Sequence, residues 1–263
     1  DEEGRIRSDM ADEVITERTR VVAVTHVANV TGAITDLAPI VRRAHAVGAL
    51  VVLDACQSVP HLKVDVHALD VDFAVWSAHK MYGPTGVGFL YGRRELLEAL
   101  PPANFGGSMV ELAWMDRPAQ YMAPPAKFEA GTQPVAQVVA AGAAAEWMMA
   151  IGMDAIAAHE HEVAAELLKL GDVDGVRILG PRENRDRIGT VAFDVDGVHP
   201  HDVGQFIDAQ GIAIRVGHHC AQPVHRHFGV YASNRASSGV YNSVADAQAL
   251  VEAVSKVRAF FRV

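Results

Sequence analysis

The chain has 263 residues, of which 50% are hydrophobic and 21% are charged, a balance that fits a globular protein with a core and excludes global disorder. Its 23 basic and 32 acidic residues give a formal net charge of −9, which disfavours general nucleic-acid binding because phosphate needs a basic surface. No apolar run of about 18 residues predicts a membrane span, and the two cysteines are too few for a disulfide scaffold, which favours a reducing cytoplasm.

The first part of the chain alternates apolar runs with helical patterns. Apolar runs predict strands at residues 20–24, 49–53, 73–76 and 86–91. A helical pattern follows Asp36, its predicted cap, and a short helix is predicted over residues 94–100. Strands separated by helices predict a parallel sheet with right-handed crossovers, and therefore an α/β fold.

The rest of the chain indicates an arm, two helices and a second domain. Residues 101–134 carry six prolines and a Gly-Gly pair; the segment is too long for an ordinary connection and predicts an interface arm at about 104–130. Helices are predicted on both sides of Gly152. Short strands are then predicted at 176–179, 190–194 and 212–216, and helices near 202–209 and 245–261. We expect a large domain over residues 1–170 and a smaller α+β domain over 171–263.

The first three predicted strands each end in residues that can do chemistry: His26, Asp54, and the group Ser77, His79 and Lys80. Ligands of open α/β sheets bind beyond the carboxyl ends of the strands. We expect Lys80 to be half-buried, and such a lysine forms Schiff bases. A lysine paired with an aspartate suits pyridoxal phosphate (PLP), because the aspartate keeps the pyridine nitrogen protonated. His26 would stack on the ring, and Ser77 and His79 would hold the phosphate. The alternative for Asp54 is that it only forms a structural turn.

The second domain supplies a thiol in a polar loop. Cys220 follows His218 and His219, and Arg215 lies five residues before it, a setting that favours a nucleophilic thiolate. The same His-His-Cys run could ligate zinc instead, although adjacent ligands rarely close a tetrahedral site. Arg235, with Arg215, is a candidate for binding a substrate carboxylate, and a surface salt bridge is its alternative. The second cysteine, Cys56, is expected to pack or to line the cofactor site.

Five stretches stand out as longer motifs. They are THVANVTG at 25–32, LDACQ at 53–57, SAHKMYGPTG at 77–86, FEAGT at 128–132 and RVGHHCA at 215–221. Together they resemble the group II, SUF-type cysteine desulfurases of the class V aminotransferase family, over essentially the whole chain. The resemblance implies the PLP-dependent transferase fold type I, with a mostly parallel sheet domain flanked by helices and a smaller C-terminal α+β domain.

The resemblance also implies a role for each matching residue. Lys80 would bind PLP covalently and move the substrate's α-proton, and Cys220 would be the nucleophile that accepts sulfur. The implied cofactor contacts are Asp54 on the pyridine nitrogen, Gln57 on the ring hydroxyl, His26 on the ring face, Ser77 and His79 on the phosphate, and Thr132 on the phosphate of the partner subunit's cofactor. The implied substrate-binding residues are Arg235, Arg215 and His219, and no metal is implied.

The implied reaction converts L-cysteine to L-alanine and leaves a persulfide on Cys220. A sulfur-acceptor protein of the SUF system would then collect the sulfur for iron–sulfur cluster assembly, and the family implies a homodimer. The family also has an earlier segment with a phosphate-binding turn at a helix N-terminus; we expect the present chain, which starts at Asp1, to lack it. Selenocysteine lyase on the same scaffold and a non-catalytic zinc-binding or remnant module are the alternative functions.

Overall fold

The structure, a computed structural model, describes residues 1–263. The helices are α1 (Ala11–Val14), α2 (Ala38–Ala46), α3 (Arg94–Ala99), α4 (Val135–Ile151), α5 (Met153–Leu167), α6 (Pro200–Asp208), α7 (Gln222–His227), α8 (Val244–Ser255) and α9 (Val257–Phe261). The strands are β1 (Val21–Thr25), β2 (Leu50–Asp54), β3 (Phe73–Ser77), β4 (Gly88–Gly92), β5 (Val110–Leu112), β6 (Gln120–Tyr121), β7 (Val176–Leu179), β8 (Thr190–Val195), β9 (Arg215–Gly217) and β10 (Ser233–Ser237).

The first sheet has the order β1-β2-β3-β4. The pairs β1–β2 and β2–β3 are parallel, as predicted, whereas β4 runs antiparallel to β3. The connection over residues 78–87 is too short for a crossover helix, so the chain turns back on itself. Leu37 and Val41, at the start of α2, pack on Val51 and Leu53 of β2, and this buried layer fixes where the parallel strands end.

The second sheet has the order β7-β8-β10-β9, and every neighbouring pair is antiparallel. Its core is separate from that of the first sheet. Phe193 of β8 is fully buried among Val163 of α5, Ile207 of α6 and Leu250 of α8. The second sheet therefore rests on its own helical layer.

The segment between the two sheets exposes much apolar surface. In the arm, β5 and β6 pair as a small hairpin, where Met109 is buried but Met115 is fully exposed. Helix α4 buries only Ala141 and Met148. Taken alone, no helix is long and apolar enough to cross a membrane; α4 and the following stretch Met153–Asp172 pass that test only as a pair, bent by 77°.

Three sequence-based expectations for the second half are wrong. Residues 233–237 form the inner strand β10, where the polar sequence Ser-Asn-Arg-Ala-Ser predicted no element. The strand expected over 212–216 is shorter and later, at β9. The single helix expected near 245–261 is two helices, α8 and α9, which adjoin at Lys256.

Candidate active site

The carboxyl ends of β1 and β2 bring two candidate residues together. Thr25 and Asp54 are register partners, and the backbone N–H of His26 donates to the carbonyl of Asp54 at 3.0 Å. The His26 side chain is buried, and this burial lowers its pKa, so its ring is neutral. Its Nδ1 atom is buried without a hydrogen-bond partner. A flat, uncharged ring with one unused nitrogen therefore lies at this edge.

Asp54 serves the local turn and remains available to a ligand. Its Oδ1 accepts a hydrogen bond from the backbone N–H of Cys56 at 2.9 Å, which is the structural role considered from the sequence. The side chain is nevertheless exposed. A carboxylate has two oxygens and about four acceptor positions, so Asp54 can accept from a further donor without giving up the turn.

Lys80 ends a 3₁₀ turn, Ala78–Lys80, that starts directly after β3. Ala78 is buried, but His79 and Lys80 are exposed, so the expectation of a half-buried lysine is wrong. The turn carries the lysine past the end of the strand, beyond the apolar layer that would have covered it. The amine of Lys80 is thus open to a ligand at the sheet edge.

Cys56 and Ser77 link the ends of β2 and β3, with Sγ and Oγ 4.0 Å apart. The pKa of the Cys56 thiol is raised, first by burial and then by the Asp54 carboxylate, while the Lys80 ammonium opposes the shift. A thiol kept protonated in this way is a packing group. The Lys80 ammonium therefore lies near enough to Cys56 for its charge to act on the thiol.

The remaining cofactor candidates, Gln57 and Thr132, are placed less tightly. Gln57 is half-buried in the turn directly after β2, three positions beyond Asp54. Thr132 is exposed just before α4, at the end of the arm. The structure thus brings Gln57 to the edge that carries Asp54, and leaves Thr132 on a surface that a second subunit can reach.

The Cys220 loop, which we define as residues 217–221, connects β9 to α7. Cys220 is exposed and lines an open concavity of about 520 Å³ together with Arg215, His218 and His219. His219 and Cys220 adopt left-handed backbone conformations, with φ of 50° and 60°. Each such conformation costs a non-glycine residue roughly 1–2 kcal/mol, so tertiary contacts must hold the loop in this shape.

Asn29 supplies one of those contacts and joins the loop to the first sheet. Its Nδ2 donates to the carbonyl of His219 at 2.6 Å, and its own carbonyl accepts from Nη1 of Arg235 at 2.9 Å. Asn29 lies three residues beyond His26 in the loop after β1. One residue therefore ties the Cys220 loop and Arg235 to the edge that carries His26; the sequence reasoning gave it no role, although it lies inside the first motif.

A second set of contacts lies beneath the loop. The His219 side chain is only 5% exposed, and its Nε2 lies 3.0 Å from Oγ of Ser233. Nε2 of His225 lies 2.9 Å from the same hydroxyl, and Nδ1 of His225 donates to the carbonyl of Ala221 at 3.0 Å. Ser233 and His225 are almost completely buried. Helix α7 turns the His225 ring inward, toward Ser233.

Arg215 and Arg235 are register partners on the adjacent antiparallel strands β9 and β10. Arg215 is exposed and Arg235 is half-buried. The pKa of Arg235 is lowered by burial and by the Arg215 charge, and Cys220 acts in the opposite direction. Burial, Arg235 and His225 lower the pKa of His219 to about 4, so its ring is neutral. Two guanidinium groups beside Cys220 suit an anionic substrate.

The zinc alternative has no geometric support. Nowhere in the structure do three His, Cys, Asp or Glu side chains converge in a way that could hold a metal ion. The Cys220 loop explains why: His219 turns inward to Ser233 while Cys220 faces solvent. The two adjacent side chains point into different surroundings and cannot share one ion.

The strand-end residues fit the cofactor that the resemblance implies. The exposed amine of Lys80 and the exposed carboxylate of Asp54 lie on neighbouring strand ends, and the buried ring of His26 is the next group along that edge. The unpartnered Nδ1 of His26 is a polar atom that the protein alone leaves unsatisfied. Lys80, Asp54, Gln57, His26, Ser77 and His79 are therefore the residues of this chain that would hold PLP.

Known proteins are similar in sequence to this chain over nearly its whole length. "Probable cysteine desulfurase 2" of Mycobacterium leprae is 53% identical over 246 residues, covering 93% of this chain and 59% of the relative. "Probable cysteine desulfurase" of Streptomyces coelicolor is 49% identical over 261 residues, covering 99% of this chain and 62% of the relative. The chain thus spans less than two thirds of the length of these relatives.

The fold of this chain is also similar to that of solved structures. The apo structure of cysteine desulfurase from Thermococcus onnurineus NA1 matches with a TM-score of 0.93 and 35% identity, covering 97% of this chain and 64% of that chain. This likeness confirms the PLP-dependent transferase fold type I. Residues 1–250 match the family described as Aminotransferase class-V, and PLP is the cofactor of that family. The chain therefore belongs to the class-V aminotransferase family.

Proposed function

We propose that the protein is a PLP-dependent cysteine desulfurase of the SUF type, which converts L-cysteine to L-alanine and carries the sulfur on Cys220. The observation that carries this proposal is the double contact of Asn29 with the Cys220 loop and with Arg235. It joins an exposed thiol and a carboxylate-binding arginine to the loop that follows His26. The names and the 49–53% identity of the M. leprae and S. coelicolor relatives support the same activity.

Each residue has a part in the proposed reaction. Arg235, with Arg215 beside it, holds the substrate carboxylate, and Lys80 takes a proton from the α-carbon and returns it to that carbon before alanine leaves. PLP, when bound, withdraws electrons from the substrate carbon. The Cys220 thiolate attacks the substrate sulfur: a sulfur–sulfur bond forms, the carbon–sulfur bond breaks, and its electron pair goes to the carbon, which takes up a proton. Alanine leaves and the sulfur stays on Cys220 as a persulfide.

Further parts of the proposal concern assembly and partners. The exposed arm and the apolar surface of α4 support a homodimer, in which Thr132 reaches the partner's cofactor. The exposure of Cys220 supports transfer of its sulfur to an acceptor protein of the SUF system. Two free cysteines support a cytoplasmic location. The two separate cores support two domains, but α5 packs in the core of the second sheet, so we place this helix with the small domain rather than with the large domain expected over residues 1–170.

Borohydride trapping tests the site assignment. The purified protein, incubated with PLP, is reduced with borohydride and digested, and the modified peptide is mapped. We expect the adduct on Lys80. The exposed Lys63 is the internal control, and an adduct there or elsewhere in place of Lys80 would contradict the assignment.

Sulfur transfer needs a separate test. After incubation with L-cysteine, mass spectrometry should find one additional sulfur on Cys220, and alanine should form. Sulfur on Cys56 instead would reject Cys220 as the acceptor. Alanine formation without any protein-bound sulfur would reject the persulfide step.

A further inference from the structure

A buried hydrogen-bond chain adjoins the Cys220 loop, and no assigned catalytic role requires it. His219, Ser233 and His225 are joined through the Ser233 hydroxyl, with distances of 3.0 and 2.9 Å to the two ring nitrogens. His219 and Ser233 lie 14 positions apart along the chain, and both are almost completely buried. Polar groups at such depth are costly unless they are paired, so the pairing determines the arrangement.

The partners assign the direction of each hydrogen bond. A carbonyl only accepts, so Nδ1 of His225 donates to Ala221; an imidazole whose single N–H is on Nδ1 accepts at Nε2. The single proton of the Ser233 hydroxyl then points to His225. Oγ of Ser233 is left to accept, and Nε2 of His219 is the donor. His219 is therefore protonated on Nε2, and its Nδ1 carries a lone pair; that Nδ1 is buried without a partner.

We propose that Ser233 and His225 are positioning residues, which fix His219 in its Nε2-protonated tautomer and thereby hold the Cys220 loop in its left-handed conformation. This inference rests on the proposed function for its consequence in catalysis: the thiol is held beside Arg235 before substrate arrives. Nδ2 of Asn29 holds the backbone carbonyl of His219, and Oγ of Ser233 holds its ring. Both anchors act on the residue that precedes Cys220.

Two substitutions break the chain at different links. Ser233→Ala removes the shared hydroxyl at nearly constant volume, and His225→Phe removes both ring nitrogens while keeping a flat ring. His227→Phe is the matched control, because His227 lies on the same helix and is exposed. None of these three residues is assigned a contact with the proposed substrate or cofactor.

The primary measurement is the tautomer of His219. In ¹⁵N-histidine-labelled protein at about pH 8, above the ordinary histidine pKa, the signal of His219 is assigned by its loss in His219→Gln. We expect one tautomer, protonated on Nε2, in the parent protein and in His227→Phe, and a mixture in Ser233→Ala and His225→Phe. An unchanged His219 signal in both variants would overturn the proposal.

Amide hydrogen exchange separates positioning from general stability. Loss of one net hydrogen bond should raise the exchange of the Ala221 amide, which donates to the carbonyl of His218 at 2.8 Å, about fivefold, with no change in the strands β7 and β8. An equal rise in those strands would mean that Ser233 only stabilises the fold, and would overturn the proposal. Neither measurement needs substrate. If both give the expected result but the protein forms no alanine from cysteine, the proposed function is contradicted and the positioning role of Ser233 and His225 still stands.

Discussion

The strand-end edge of the first sheet and the Cys220 loop both carry proposed catalytic side chains, but they are held in different ways. At the edge, Lys80 and Asp54 are exposed, and His26 keeps a buried nitrogen without a partner. In the loop, His219 is held by Asn29 on one side and by Ser233 on the other. The edge thus keeps polar groups available to a ligand, whereas the loop takes its shape from contacts within the protein.

Lys80→Ala gives the sharpest test of the edge. Because this amine both binds the cofactor and moves the proton, we expect alanine formation from cysteine to fall by at least about 10³-fold. The absorbance of the bound cofactor should be lost as well, while the Cys220 loop stays intact in hydrogen exchange. Lys63→Ala is the matched control and should keep both signals; retained turnover in Lys80→Ala would contradict the assignment.

Cys220→Ala alters the Cys220 loop and leaves the strand-end edge intact. We expect loss of alanine formation from cysteine, by about 10³-fold or more, because no thiolate is left to take the sulfur. The cofactor absorbance should be unchanged, because the edge is intact. Turnover on selenocysteine should be retained, as expected for a thiol that is needed mainly for sulfur, and equal retention on both substrates would count against Cys220 as the nucleophile.

Asn29→Ala tests the link between the two regions. The substitution removes the donor to the His219 carbonyl but keeps the backbone carbonyl that Arg235 contacts. One lost hydrogen bond of about 1 kcal/mol corresponds to about a fivefold fall in kcat, with little change in KM. Asn184→Ala, which removes a surface contact to His161, should have no effect; the same result for Asn29→Ala would show that the loop needs no such link.

The pH dependence of stability reports on the buried ring of His219. Its pKa of about 4 lies below the ordinary 6.5. Between pH 6.5 and pH 4 the His219 side chain is therefore protonated in the unfolded chain but not in the folded chain. The free energy of unfolding should therefore fall as pH is lowered from 6.5 to 4, by up to about 1.4 kcal/mol per pH unit from this group. Urea unfolding of His219→Gln should show a shallower fall, and His227→Gln should match the parent.

The predictable part of the molecule is the part that apolar patterning encodes. Strands β1, β2 and β3 were predicted to within one or two residues, because each is a short apolar run that packs on a helix. Their ends were predictable as a consequence, since parallel strands finish at one edge. The sequence alone therefore predicted that His26 and Asp54 lie at the same edge of the sheet.

The loop could not be predicted in this way. The residues that hold His219 are Asn29 and Ser233, and they lie 190 and 14 positions away in the chain. Ser233 belongs to β10, whose polar sequence resembles a loop although Ser233 and Asn234 are completely buried. Tertiary hydrogen bonding decides such a strand, and no local pattern reports it.

Arg215 and Arg235 stand opposite each other with no carboxylate between them, and this pairing has a consequence for handling the protein. Two like charges at close range repel, and an incoming anion relieves the repulsion whatever its identity. Sulfate or phosphate in a purification buffer should therefore act as a competitive inhibitor. The affinity of the anion for the two arginines should fall as ionic strength rises. Assays of this chain should be run in chloride-poor, phosphate-free buffer.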